Sequence, residues 1–176
     1  MKKMTLIVDM DEVIADPIAK LRAWYARDFG KQLTDEEIAG KHLADVVPPE
    51  HAAVLYAYLN TPGFFRDLSV MEGAVDVIKC LNEKYDLYVV SAAMEFPHSL
   101  KDKFDWLKEH FPFIRWQQIC LCGSKYIVHA DIMIDDHSRN FHAGIQRKML
   151  FTSHHNLFEP ADERVDNWEQ IARKLL

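Results

Sequence analysis

Asp9 and Asp11 stand one residue apart behind the apolar run Leu6-Ile7-Val8, in the segment MTLIVDMDEVIAD that spans Met4–Asp16. On an extended backbone alternate residues share a side, so the two carboxylates point the same way. Like charges crowded at the end of a buried strand repel one another, and a bound divalent cation is a common solution. The plainer reading makes them loop aspartates, one of them capping a helix, and this motif alone leaves both readings open.

A second acidic strand end follows far along the chain. Asp131–Asp136 reads DIMIDD, with Ile132-Met133-Ile134 delivering Asp135 and Asp136. In open parallel α/β sheets, ligands bind beyond the carboxyl ends of the strands. Two such strands would place up to four carboxylates there, an oxygen-only set that suits Mg²⁺. An anionic substrate is then expected, and phosphate fits best. Its donors would be the Ser91 hydroxyl at the end of LYVVS, the backbone N–H groups of Ala92 and Ala93, and Lys125. A lone lysine is more often a solvated surface residue.

These groups need a scaffold. Asp16-Pro17 reads as a helix start, with Ile18, Leu21, Tyr25 and Phe29 at helical spacing and Gly30 as the stop. Thr34 and Glu37 form a capping box, and Pro48-Pro49 opens a further helix that Thr61-Pro62-Gly63 breaks. Residues 17–68 therefore read as an all-helical block. From Met71 helices alternate with strands. Ala74–Leu81 is a helix, Leu87–Ser91 a strand, and Leu100, Phe104, Leu107 and Phe111 mark a helix. Ile119–Cys122, Ile132–Ile134 and Met149–Phe151 are strands. Asp166 with Glu169 reads as a capping box for a last helix bearing Trp168, Ile171 and Leu175. The alternation implies a parallel, doubly wound sheet.

At 176 residues the chain suits one domain with a small insertion. A net charge of −6 argues against a nucleic-acid polymer as partner. The N-terminal apolar stretch is too short for a membrane span or signal, so a cytoplasmic location is expected. Cys80, Cys120 and Cys122 make no disulfide framework and no zinc pattern. His154-His155 would not converge on one ion if extended. A homodimer is left open.

The ordered set of D-x-D, strand-end Ser, Lys and double Asp resembles the haloacid dehalogenase superfamily. The segments DMDEVIAD, PGFFRDL, DIMIDD, FTSHHN and DNWEQI resemble its 5′(3′)-deoxyribonucleotidase branch, across nearly the whole chain. The resemblance implies a haloacid dehalogenase-like (HAD-like) Rossmannoid α/β core over 1–16 and 69–176, with residues 17–68 as a small all-helical cap inserted after strand one. It implies a Mg²⁺-dependent phosphomonoesterase acting on a small phosphomonoester, a (deoxy)nucleoside monophosphate. Asp9 would be the nucleophile that forms an aspartyl-phosphate, and Asp11 the general acid and later base. The metal would be held by Asp9, the Asp11 carbonyl and Asp135, with Asp136 behind them. Ser91, Ala92 and Lys125 would bind the phosphoryl group. Phe64-Phe65 lies where the chain returns from cap to core, so one ring is expected to face the nucleotide. Trp24, Tyr25, Phe29, Tyr56 and Tyr58 read as cap interior.

Three departures stand out. Glu12 replaces the superfamily's usual glycine in D-x-D-G, Ser91-Ala92-Ala93 replaces Thr-Ser-Pro, and Pro17 replaces an aromatic residue. The competing readings are a phosphatase for sugar phosphates or other small esters, and a catalytically silent binding protein. The latter would be expected to lose Asp9, Asp11 or Lys125.

Overall fold

Short runs of branched aliphatic residues, buried on both faces, favour parallel strands covered by helices. The computed structural model, which describes residues 2–176, has this form. In chain order its elements are β1 (Thr5–Val8), β2 (Ala15–Asp16), α1 (Pro17–Phe29), α2 (Asp35–Ile38), α3 (Leu43–Val46), α4 (Pro49–Leu59) and β3 (Ser69–Val70). There follow α5 (Ala74–Lys84), β4 (Asp86–Ser91), α6 (Ser99–His110), β5 (Ile119–Leu121), β6 (Ala130–Asp135), β7 (Ile145–Phe151), β8 (Arg164–Val165) and α7 (Trp168–Leu175).

Six strands form one sheet in the order β5-β4-β1-β6-β7-β8, every pair parallel. β1 is internal, with Val8 opposite Val89 on one side and Ile134 on the other. Alternation divides its side chains. Leu6 and Val8 join the larger apolar cluster with Val89, Ile134, Phe151 and Trp168, and Ile7 joins a smaller one with Val90, Met133 and Ile145. The register brings the ends of β1, β4 and β6 to one edge of the sheet.

The helical segment leaves and rejoins the core through the antiparallel ribbon β2–β3, where Ala15 pairs with Val70 and Asp16 with Ser69. The Asp16 carboxylate accepts from the Ala19 N–H at 2.9 Å, Pro17 occupies the first turn, and Gly30 closes α1 with φ +67°. The Thr34–Glu37 capping box is present at α2.

Three local expectations are corrected. α3 was not anticipated; its four residues carry too little periodicity. The cap of α7 is Asn167, which accepts from the Gln170 N–H at 2.9 Å. Asp166 is instead engaged by the Thr152 hydroxyl at 2.6 Å and the Gln170 amide. On α6 the inward face is Ser99, Lys103, Trp106 and Leu107, and Phe104 is turned outward.

Two buried tryptophans tie irregular chain to this frame. The Trp106 indole donates to the Leu68 carbonyl and the Trp168 indole to the Val13 carbonyl, each at 2.8 Å. Among the described residues, no helix is long and apolar enough to cross a membrane.

Candidate active site

Asp9 is the first residue past β1, and its N–H donates to the Ile134 carbonyl at 2.9 Å. Beyond it the chain turns sharply. The N–H groups of Ile14 and Ala15 both donate to the Met10 carbonyl, and that of Glu12 to the Ala15 carbonyl. This turn places Glu12 at φ +59°, the one non-glycine residue at positive φ among those described. The left-handed conformation explains why glycine suits this position. Here it is held by the Ser153 hydroxyl, which donates to the Glu12 carboxylate at 2.6 Å, and by His154 Nδ1 at 3.1 Å.

The sequence-expected residues meet at the carboxyl edge of the sheet. A cavity of about 420 Å³ is walled by Asp9, Asp11, Ser91, Ala92, Lys125 and Asp136. Lys125 is buried, with its ammonium 2.5 Å from Asp9 Oδ1 and 2.7 Å from Asp135 Oδ2. Asp135 lies behind this wall, fully buried. Its Oδ1 accepts from the His137 N–H at 2.9 Å and from the Asn140 amide at 2.8 Å. Asp136 Oδ2 is met by His155 Nε2 at 2.8 Å, whereas its Oδ1 is buried without a hydrogen-bond partner. Asp11 Oδ1 is likewise without a partner.

Asp9, Asp135 and Asp136 each bring an oxygen within 4.8 Å of the other two. Burial, with the charge of Asp135, raises the pKa of Asp9 against the pull of Lys125. Burial and the charges of Asp9, Glu12 and Asp135 push Asp136 well above the usual carboxylate range. Burial also raises Asp11, opposed chiefly by Lys103. Lys125 is pulled down by burial but carried upward on balance by Asp9 and Asp135. This surplus of negative charge with two orphaned carboxylate oxygens fits a cation, and the all-oxygen donor set fits Mg²⁺.

The expectation for Phe64-Phe65 divides. Phe65 lines the cavity. Phe64 does not; it is buried edge-on against Trp24, with ring centroids 5.2 Å apart, because the helical segment needs it as core. Tyr56, expected inside the helical segment, is exposed and lines the cavity beside Phe96, their rings 5.7 Å apart. His154 and His155 follow β7 in a bend, so both reach the acidic cluster, one at Glu12 and the other at Asp136.

The group that sequence reasoning missed outright is Lys103. It is 1 % exposed, and its ammonium donates to Asp11 Oδ2 and, at 3.0 Å, to the Ser91 hydroxyl. A stripe of residues set one position earlier along α6 would have found it.

Known proteins resemble this chain over nearly its whole length. The family described as 5′ nucleotidase, deoxy (Pyrimidine), cytosolic type C protein matches residues 3–176. A relative named 5′(3′)-deoxyribonucleotidase, from Bacillus subtilis strain 168, is 40% identical over 99% of both chains. One of the same name from Bacillus phage SPbeta is equally similar. A haloacid dehalogenase-like hydrolase from Streptococcus pneumoniae superposes with a TM-score of 0.61 over 99% of both chains, at 14% identity.

Proposed function

This chain belongs to the cytosolic type C 5′-nucleotidase (deoxy) family, and on that footing we propose that it is a Mg²⁺-dependent phosphatase of deoxynucleoside monophosphates. It is a phosphomonoester hydrolase on a haloacid dehalogenase fold. The observation that carries the finer reading is the meeting of Asp9, Asp11, Ser91, Lys125 and Asp136 around one cavity beneath the helical segment, which serves as its cap.

Asp9 attacks phosphorus as the ester P–O bond breaks, giving an aspartyl-phosphate. Asp11, whose pKa burial raises against the pull of Lys103, passes its proton to the departing sugar oxygen. A sugar alkoxide is a poor leaving group, so this help is worth roughly 10²–10⁴-fold. Asp11 then takes a proton from the water that attacks the phosphoenzyme, the P–O bond to Asp9 breaks, and phosphate leaves. Lys125 and Ser91 hold the phosphoryl oxygens and offset their charge.

Mg²⁺ would be held by Asp9, the Asp11 carbonyl and Asp136, and would supply positive charge where two anions must approach. Asp136 takes the place expected for Asp135, because both oxygens of Asp135 are engaged and it lies behind the cavity wall. Asp135 instead orients Lys125. The cap excludes water that would compete for the phosphoenzyme, and Phe65 with Tyr56 and Phe96 offers aromatic surface to a base.

The test is phosphate release from deoxynucleotides, ribonucleotides and sugar phosphates, with Mg²⁺ and with chelator. The expected result is chelator-sensitive turnover highest on deoxynucleotides. Preference for a sugar phosphate, or turnover indifferent to chelator, would overturn the reading.

A further inference from the structure

We propose that Glu12 belongs to the cation site: its carboxylate accepts from water carried by Mg²⁺ and so raises the affinity of the site for that ion. The inference rests on the reading of Asp9, Asp136 and the Asp11 carbonyl as the groups that hold the metal. Glu12 lines the same cavity as Asp9 and Asp136. Only one of its oxygens is engaged. Oε2 accepts from the Ser153 hydroxyl at 2.6 Å and lies 3.1 Å from His154 Nδ1. Oε1 has no hydrogen-bond partner among the described residues and is not buried, so it is open to the cavity.

A carboxylate that only fastened a turn would not need this setting. Asp9 faces the Lys125 ammonium and Asp11 the Lys103 ammonium. Among the described residues Asp136 and Glu12 meet no ammonium or guanidinium, only hydroxyl and imidazole groups. A carboxylate in this state repels an anionic substrate entering the same cavity, and its attraction is for a cation. Two adjacent histidines tie these two acids to one wall. His154 engages Glu12 and His155 engages Asp136, with the rings edge-on and their centroids 5.5 Å apart. After burial and the charge of Asp9, it is Glu12 that raises the pKa of Asp136 most, as carboxylates sharing a site do. The backbone agrees. Glu12 stands at φ +59°, where glycine would close the turn without strain, and such outliers gather at functional sites. Mg²⁺ bound through few carboxylates keeps several of its waters. With Oε2 pinned by Ser153, Glu12 offers Oε1 to such a water in a fixed direction.

The experiment is calorimetric titration with Mg²⁺, without substrate, of the parent, Glu12→Gln, Glu12→Gly and Asp136→Asn. Glutamine can still accept from Ser153 but carries no charge; glycine removes the side chain and the strain together. Both variants should bind Mg²⁺ about 10-fold more weakly than the parent, the scale of groups that support a metal's ligands. A role confined to fastening the turn would shift the urea midpoint of the metal-free variants and leave their Mg²⁺ affinity unchanged, and that result would overturn the proposal. If the parent takes up no Mg²⁺, or Asp136→Asn binds it as tightly as the parent, the reading of the acidic wall falls, and the proposal with it. If Asp136→Asn loses the ion while Glu12→Gln keeps it, Glu12 alone is misassigned. Should Glu12→Gln fail to fold, Glu12→Gly is read by the same criteria.

Discussion

At the scale of single residues, the site is a problem of surplus negative charge solved by separate partners. Asp135 is satisfied by Lys125, the His137 N–H and Asn140, whereas Asp136 keeps one oxygen free. Asp136→Asn should therefore weaken Mg²⁺ binding by about 10²-fold or more, judged against the 10–100-fold cost of losing groups behind a ligand. Asp135→Asn should act mainly through Lys125 and phosphate binding. Calorimetric titration with Mg²⁺ separates them, and unchanged affinity in Asp136→Asn would refute its role as ligand. Glu12 poses a different question. A side chain at φ +59° costs about 1–2 kcal/mol, and Ser153 and His154 offset it. Glu12→Gly gives up those bonds and the strain together, so its stability should stay within about 1 kcal/mol of the parent. Glu12→Ala keeps the strain and loses the bonds, and should be the less stable of the two. Equal urea midpoints for both variants would mean that the backbone there is not strained.

At the scale of elements, β7, the chain entering β8, and α7 are fastened by one carboxylate. Glu163 takes two hydrogen bonds from Arg147 at 2.8 Å and one from Lys174 at 3.1 Å, which lower its pKa to about 2. A depressed carboxylate pKa gives stability that is complete above the unfolded value near 4.5 and is lost as pH falls toward 2. The melting temperatures of the parent and Glu163→Gln should therefore differ most above about pH 4.5 and converge by about pH 2. A gap independent of pH would contradict this. Elements with strong local signals were legible in the sequence. The Asp16-Pro17…Gly30 punctuation of α1 and the Thr34 capping box appear as expected. α6 was legible as a helix and in part of its facing. Leu107 and Phe111 are buried as expected, whereas Phe104 is turned outward and Lys103 inward. The decisive contact, Lys103 with Asp11, joins residues 92 apart, and no local period encodes a buried charge pair. β2, β3 and β8 are two-residue strands defined only by their partners. Asp135 and Asp136 are adjacent and alike in type, so only the hydrogen bonds of the folded chain distinguish them.

At the scale of the whole molecule, the sheet order sets β1 between β4 and β6, so that carboxylates, hydroxyl and ammonium groups from distant segments share one edge. The helical segment closes over them through several contacts. Gly40 N–H donates to the His154 carbonyl at 2.7 Å, and Gly63 N–H donates to Asp102 at 2.9 Å. A chain of net charge −6 that gathers its buried acids in one cavity needs a counter-charge there. A ligand that binds only the folded state raises stability by mass action. Mg²⁺ should accordingly raise the melting temperature, and Asp136→Asn should abolish most of the increase; a full increase in that variant would count against the site. The central claim is that the phosphoryl group passes through Asp9. It is tested most directly by mixing the enzyme with a radiolabelled deoxynucleoside monophosphate, quenching in acid within one turnover, and mapping the label. The account predicts label on the peptide containing Asp9 and none in Asp9→Asn. Label on another residue, or retained in Asp9→Asn, would contradict it.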